Sequence, residues 1–222
     1  MASNRIKCVI FDCDGTLIDS ERLCIQAIVE VLESVGVNVD YEKVKDQFQG
    51  VKLEKIFGEL IADSSLLSDD SLTGLVRHYR QRCQELFTEQ LTVIDGVYEV
   101  LDELKANNIA ICIASNAPHE KMAFTLPLTK LDHYFEGTVY SALDAHAWKP
   151  DPKLLHFVMD KMQVRAEECL FIDDSLVGVQ AGIGAQVTTL YFSHAEPHKE
   201  IEIDSPYLHY ISDMRQLLAF VQ

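Results

Sequence analysis

Apolar and polar positions change period several times along the chain. Cys8-Val9-Ile10-Phe11 is an apolar run without polar alternation, which predicts a strand buried on both faces, as in a parallel sheet. From there the spacing turns helical. Leu23, Ala27, Ile28, Val31, Leu32 and Val35 form one stripe, closed by Gly36. Asp40 is an N-cap candidate for a short helix ending near Phe48, and a further helix runs from Leu53 to about residue 62. After a polar stretch at 64–71, the stripe Leu72, Leu75, Val76, Tyr79, Cys83, Leu86, Phe87 predicts a long amphipathic helix. Residues from about 20 to 88 therefore read as all-helical.

Beyond them, strands and helices alternate. A helix follows Asp95-Gly96 to about Asn107, and Ile109 to Ala114 is a second fully apolar strand. A helix with Met122 and Phe124 follows, then a short strand over Gly137–Tyr140 and a helix from Lys153 to Met162. Cys169-Leu170-Phe171-Ile172 is a third buried strand. A glycine-bearing helix, strands at Val187–Phe192 and Leu208–Ile211, and a last helix from Met214 to Val221 complete the chain. Alternation of this kind predicts an α/β fold, a Rossmann-like doubly wound parallel sheet with right-handed crossovers. The helical block is then an inserted all-α cap over residues 19–88, with the core formed by 1–18 and 89–222.

Three of the apolar strands stop at polar signatures. Asp12 and Asp14 follow the first, Ser115 and Asn116 the second, Asp173 and Asp174 the third, and Lys149 precedes that third strand. Parallel strands place these ends on one edge, where open α/β sheets bind ligands. Each signature alone has a plainer reading as an acidic turn, a helix N-cap or a surface lysine. Their joint placement does not. Four carboxylates with one ammonium leave an excess of negative charge, so a divalent cation is expected, and an all-oxygen donor set points to magnesium. That combination suits a phosphoryl substrate, with Lys149 as the second positive clamp.

Composition bounds the partners. The 222 residues carry a formal net charge of −16, which argues against nucleic acid or an anionic membrane surface. The six cysteines form no CxxC pair, and Cys8, Cys112 and Cys169 fall inside apolar strand runs, as in a reducing cytosol. With neither a signal-peptide pattern nor a membrane-length apolar run, the chain reads as cytoplasmic. A small-molecule phosphate ester is the expected partner, and the chain a monomer or weak homodimer. The single tryptophan, Trp148, is read as a packing residue.

The runs Asp12-Cys13-Asp14-Gly15-Thr16-Leu17-Ile18-Asp19-Ser20, Ala114-Ser115-Asn116, Lys149-Pro150-Asp151-Pro152 and Ile172-Asp173-Asp174-Ser175 resemble, in order, the four motifs of the haloacid dehalogenase superfamily. The resemblance implies that Asp12 is the nucleophile, forming an aspartyl-phosphate, and that Asp14 is the general acid and base. Ser115, the Asn116 backbone and Lys149 would hold the phosphoryl oxygens. Magnesium would be held by Asp12, the Asp14 main-chain carbonyl, Asp174 and Asp173. The family often carries an acid at the position of Gly178, so Asp173 takes the second acidic role here.

An acid at Asp14 favours phosphate esters over halides, because an ester leaving group needs a proton. Sugar phosphomutases of this fold carry a histidine where this chain has Cys24, which ranks a mutase second. A non-catalytic phosphometabolite sensor ranks third. Specificity is expected from the cap loop Gln49-Gly50-Val51-Lys52, with Gly50 and Lys52 meeting the leaving group. The resemblance extends to the family's sugar-phosphate phosphatases through Phe48 to Leu53 and the Trp148 to Pro152 run, and it suggests a carboxylated sugar phosphate such as 6-phosphogluconate as substrate.

Overall fold

The computed structural model describes residues 5–48, 53–61, 69–193 and 203–221. The chain divides into two compact units, Met1–Ile18 with Val93–Gln222, and Asp19–Thr92. In the first unit six strands, β1 (Cys8–Phe11), β2 (Ala110–Ser115), β3 (Val139–Ser141), β4 (Cys169–Asp173), β5 (Thr188–Phe192) and β6 (Leu208–Ile211), form one sheet in the order β3-β2-β1-β4-β5-β6. Every neighbouring pair is parallel. The order reverses beside β1, so the crevice at the carboxyl end of β1 and β4 is the topological switch point where such sheets bind ligands. Register fixes what meets there. Phe11 stands opposite Ile113 on one side and Ile172 on the other. Asp12, one residue on, therefore lies beside Asp173, and its amide donates to the Ile172 carbonyl at 2.9 Å.

All four residues of β1 are buried, as the unbroken apolar run requires. Cys8 and Ile10 face one layer, packed with Leu154, Leu155, Val158 and Met159, while Phe11 faces the other and meets the Phe135 ring edge-on at 6.1 Å.

The second unit is all-helical: α1 (Glu21–Ser34), α2 (Tyr41–Phe48), α3 (Leu53–Leu60) and α4 (Asp69–Gln90). Ile28, Val31, Leu32, Val44, Ile56, Phe57 and Leu75 form its buried centre. Asp40 caps α2 as its position suggests, accepting from the Lys43 amide at 3.0 Å. Both ends of the insertion are stitched together, because the Asp19 amide donates to the Thr92 carbonyl at 3.0 Å. The helix expected to end near residue 88 continues to Gln90, since an apolar stripe marks only the buried face of a helix and misses its polar end turns. The remaining helices of the first unit are α5 (Val97–Ala106), α6 (His119–Leu128), α7 (Ala142–Ala145), α8 (Lys153–Met162) and α9 (Leu176–Gly184). The expected last helix is a 3₁₀ segment, Met214–Phe220, and β3 starts at Val139 because Gly137 turns the chain at φ +74°. Among the described residues no helix is long and apolar enough to cross a membrane.

Candidate active site

Buried Lys149 organises the site. Its ammonium reaches Asp12 Oδ1 at 2.5 Å and Asp173 Oδ2 at 2.7 Å, bridging the two adjacent strand ends. All three side chains are buried. Burial alone works against the ammonium, but Asp12 and then Asp173 outweigh it and hold the Lys149 pKa above the ordinary lysine value. Burial pushes Asp12 up to about 7, with Lys149 pulling it down and Asp173 pushing it further up. An added cation would draw Asp12 back towards the ionised form.

Lys149 is aimed from its backbone. The Asn116 side chain accepts from the Lys149 amide at 2.8 Å and donates to the Lys149 carbonyl at 3.2 Å, at the cis Lys149-Pro150 bond. Asn116 therefore clamps the loop that carries the lysine. Ser115, the last residue of β2, is buried, and its hydroxyl accepts from the Ala117 amide at 3.1 Å. Neither residue caps α6, whose N-cap is Pro118.

The acids of β4 are fixed separately. Asp173 Oδ1 accepts from the Ser175 amide at 2.8 Å and the Ser175 hydroxyl at 2.6 Å. That hydroxyl in turn caps α9 by accepting from the Gly178 amide at 3.1 Å. Thr16, fully buried, donates to Asp174 Oδ1 at 2.7 Å. Asp174 can sit there because Gly15, at φ +81°, has no Cβ to overlap its carboxyl group. Asp14 pairs with Lys121 at 2.8 Å. Cys13, between the two N-terminal acids, is buried, and burial, then Asp14 and Asp12, push its thiol well up, so it is an inert spacer.

Gly178 explains the missing acid. Any Cβ there would overlap the Asp173 carboxyl, so this chain has room for Asp173 or for a side chain at 178, not both. Gly178→Ala is expected to lower kcat/KM roughly 100-fold by displacing Asp173 and with it Lys149. The alanine gains about 1 kcal/mol of helix propensity in α9, which offsets part of the steric cost. Steady-state kinetics beside thermal unfolding would separate the two; unchanged kinetics would mean that Asp173 can relax away freely.

Asp12, Asp14, Ser115, Asn116, Lys149, Asp173 and Asp174 thus meet at one edge of the sheet. Gly50 and Lys52 lie outside the described residues. Trp148 departs from its expected packing role: the residue is 48% exposed on the loop before Lys149, outside the core. Sequence reading missed Thr16, Ser175 and Lys121. The first two follow or sit among the acids, where short hydroxyl side chains reach neighbouring carboxylates. Lys121 occupies the first turn of a helix, where the dipole disfavours a cation and a partner is therefore needed.

One carboxylate oxygen from each of Asp12, Asp173 and Asp174 lies within 4.8 Å of the others. Three carboxylates, two of them bonded to Lys149, offer an all-oxygen donor set that fits a hard divalent cation such as magnesium.

The model of the haloacid dehalogenase-like hydrolases matches residues 9–192. The chain is 36% identical over 197 residues to the 6-phosphogluconate phosphatase of Escherichia coli (strain K12), covering 89% of this chain and 86% of that protein. It is 29% identical to the phosphorylated carbohydrates phosphatase of Thermotoga maritima over 84% of each chain. Among solved structures, the HAD family hydrolase from Deinococcus radiodurans R1, with bound phosphate and sodium, superposes with a TM-score of 0.73 at 25% identity, covering 89% of this chain and 85% of that one. By fold, by motif and by similarity along most of its length, the chain belongs to the haloacid dehalogenase-like hydrolases.

Proposed function

We propose that this chain is a magnesium-dependent phosphatase that hydrolyses a small phosphorylated sugar through a phosphoryl group carried on Asp12. The observation that carries the reading is the buried Lys149 ammonium bonded to both Asp12 and Asp173. It fixes the nucleophile's carboxylate beside Asp173 at the carboxyl end of β1 and sets a positive charge where phosphoryl oxygens would lie. In the first half-reaction an Asp12 oxygen bonds phosphorus while the bond from phosphorus to the sugar oxygen breaks. Protonated Asp14 gives its proton to that departing oxygen. In the second, Asp14 takes a proton from a water whose oxygen attacks phosphorus. The bond to Asp12 breaks, inorganic phosphate leaves, and both carboxyl groups return to their starting state.

Ser115, the Asn116 backbone and Lys149 hold the phosphoryl oxygens in this reading. Asp12, Asp173, Asp174 and the Asp14 main-chain carbonyl would hold the magnesium ion. When bound, the cation supplies charge neutralisation on the phosphoryl group and the acidic cluster. In this reading the helical insertion, residues 19–88, would act as the cap, with Gly50 and Lys52 meeting the leaving group. Similarity to the Escherichia coli protein supports 6-phosphogluconate as substrate.

Phosphate release from 6-phosphogluconate, glucose 6-phosphate and other sugar phosphates, with magnesium and with excess chelator, tests the proposal. Release is expected with magnesium only, restored when magnesium is added back, and fastest for 6-phosphogluconate. Release indifferent to chelation would contradict the metal assignment. Movement of phosphate between sugar positions without release would show a mutase, and binding without either would show a sensor.

A further inference from the structure

We propose that Lys121 is a positioning residue that holds the Asp14 carboxyl at the leaving-group oxygen and so sets how poor a leaving group the enzyme can expel. This rests on the phosphatase reading above, in which Asp14 supplies the proton. Asp14 follows β1 by three residues, in the turn that Gly15 closes, and its side chain is partly open to the crevice. Turn side chains are free to rotate unless held. Lys121 Nζ stands 2.8 Å from Asp14 Oδ1, and the lysine side chain is itself mostly covered.

What makes this contact more than a surface pair is how firmly its lysine is mounted. Ser115 Oγ accepts from the Ala117 amide, and Ser141 Oγ donates to the Ala117 carbonyl at 2.7 Å. Ser141 caps α7, and Asp144 of that helix receives His119 Nε2 at 2.9 and 2.8 Å on its two oxygens. His119 is the first residue of α6, and Lys121 the third. Residues from β2, β3, α7 and α6 thus lock the start of α6 onto the same sheet edge that carries Asp12. The helix dipole disfavours a cation in that first turn by a few tenths of a kcal/mol to about 1 kcal/mol, which Asp14 Oδ1 offsets by accepting from Lys121, leaving Oδ2 to carry the proton that goes to the leaving group. A general acid gives its full effect only when its proton lies within hydrogen-bond reach of the departing oxygen.

The contribution of such an acid depends on the leaving group. An alkoxide must be protonated as it leaves, whereas p-nitrophenolate leaves unaided. The step is otherwise unchanged: phosphorus passes from the ester oxygen to Asp12, and the Asp14 proton passes to the ester oxygen. Lys121→Met and Lys121→Arg would be compared with wild type in magnesium across p-nitrophenyl phosphate, phenyl phosphate and glucose 6-phosphate, reading kcat/KM, which reports the phosphoryl-transfer step.

For Lys121→Met we expect roughly a 100-fold loss on the sugar phosphate and less than about 10-fold on p-nitrophenyl phosphate. The dependence on leaving-group pKa therefore steepens. Lys121→Arg, which keeps a donor for Asp14, recovers most of the sugar-phosphate rate. An equal loss across the series, or no loss at all, in a variant with an unshifted unfolding midpoint would overturn the assignment. So would failure of arginine to restore the sugar-phosphate rate. Should wild type itself release no phosphate from any of the three, the phosphatase reading would fail rather than the role of Lys121.

Discussion

Asp12→Asn is expected to abolish phosphate release, lowering kcat by roughly 10⁴-fold or more, because on the proposed mechanism the amide keeps the shape of the side chain and loses the nucleophile. The same variant is expected to be no less stable than wild type when both are stripped of metal. Burial pushes the Asp12 pKa up to about 7, so at and above neutral pH the fold holds an anion it disfavours relative to the unfolded chain. A neutral amide removes that cost. Chemical denaturation in the presence of chelator, read beside phosphate release, checks both halves. A variant that is inactive and also unfolded would refute the separation of function from stability, and an active variant would remove Asp12 from the chemistry.

Lys149→Met produces the opposite pairing, with activity and stability falling together. Methionine matches the aliphatic stem but leaves Asp12 and Asp173 buried without their shared counter-ion. Breaking a buried ion pair from one side costs about 3–5 kcal/mol. Loss of the positive contact proposed for the phosphoryl oxygens is expected to lower kcat/KM by roughly 10²–10³-fold. Adding Asp173→Asn to Lys149→Met should recover part of the stability and none of the activity. That non-additivity is the signature of residues in direct contact. If the two stability changes simply add, the bridge seen in the structure contributes little.

These expectations rest on geometry that the sequence disclosed unevenly. The acids at the ends of β1 and β4 were legible because unbroken apolar runs mark fully buried strands, and parallel strands must bring their carboxyl ends together. Their mutual register was not legible, and it is the register that sets Asp12 beside Asp173 and allows one lysine to bridge them. Gly178 looked like a gap in a pattern; the structure shows it as the space the Asp173 carboxyl occupies. Asn116 was placed near the phosphoryl group for its backbone, while its side chain turns out to grip the Lys149 loop. That contact spans 33 residues, and no local periodicity could have revealed it. Lys121 was hidden for the same reason: its partner lies across the sheet edge, on a different element. Element boundaries slipped where special backbone decided them, as at Gly137 (φ +74°), which delays β3 to Val139.

Charge settles one further point. A chain of net charge −16 repels phosphate at long range, yet exposed charges more than about 8 Å apart are largely screened at physiological salt. Lys149 and Lys121, both on the sheet edge beside the acids, supply the local positive charge that matters at contact distance.

The central claim is that a phosphoryl group resides on Asp12 during turnover. Rapid acid quenching of wild type with 6-phosphogluconate and magnesium, followed by mass analysis of the peptide containing residues 8–20, tests it most directly. The account predicts one added phosphoryl group on Asp12, appearing before free phosphate and absent from Asp12→Asn. A full turnover of product with no labelled enzyme at any quench time, or a label on another residue, would contradict it.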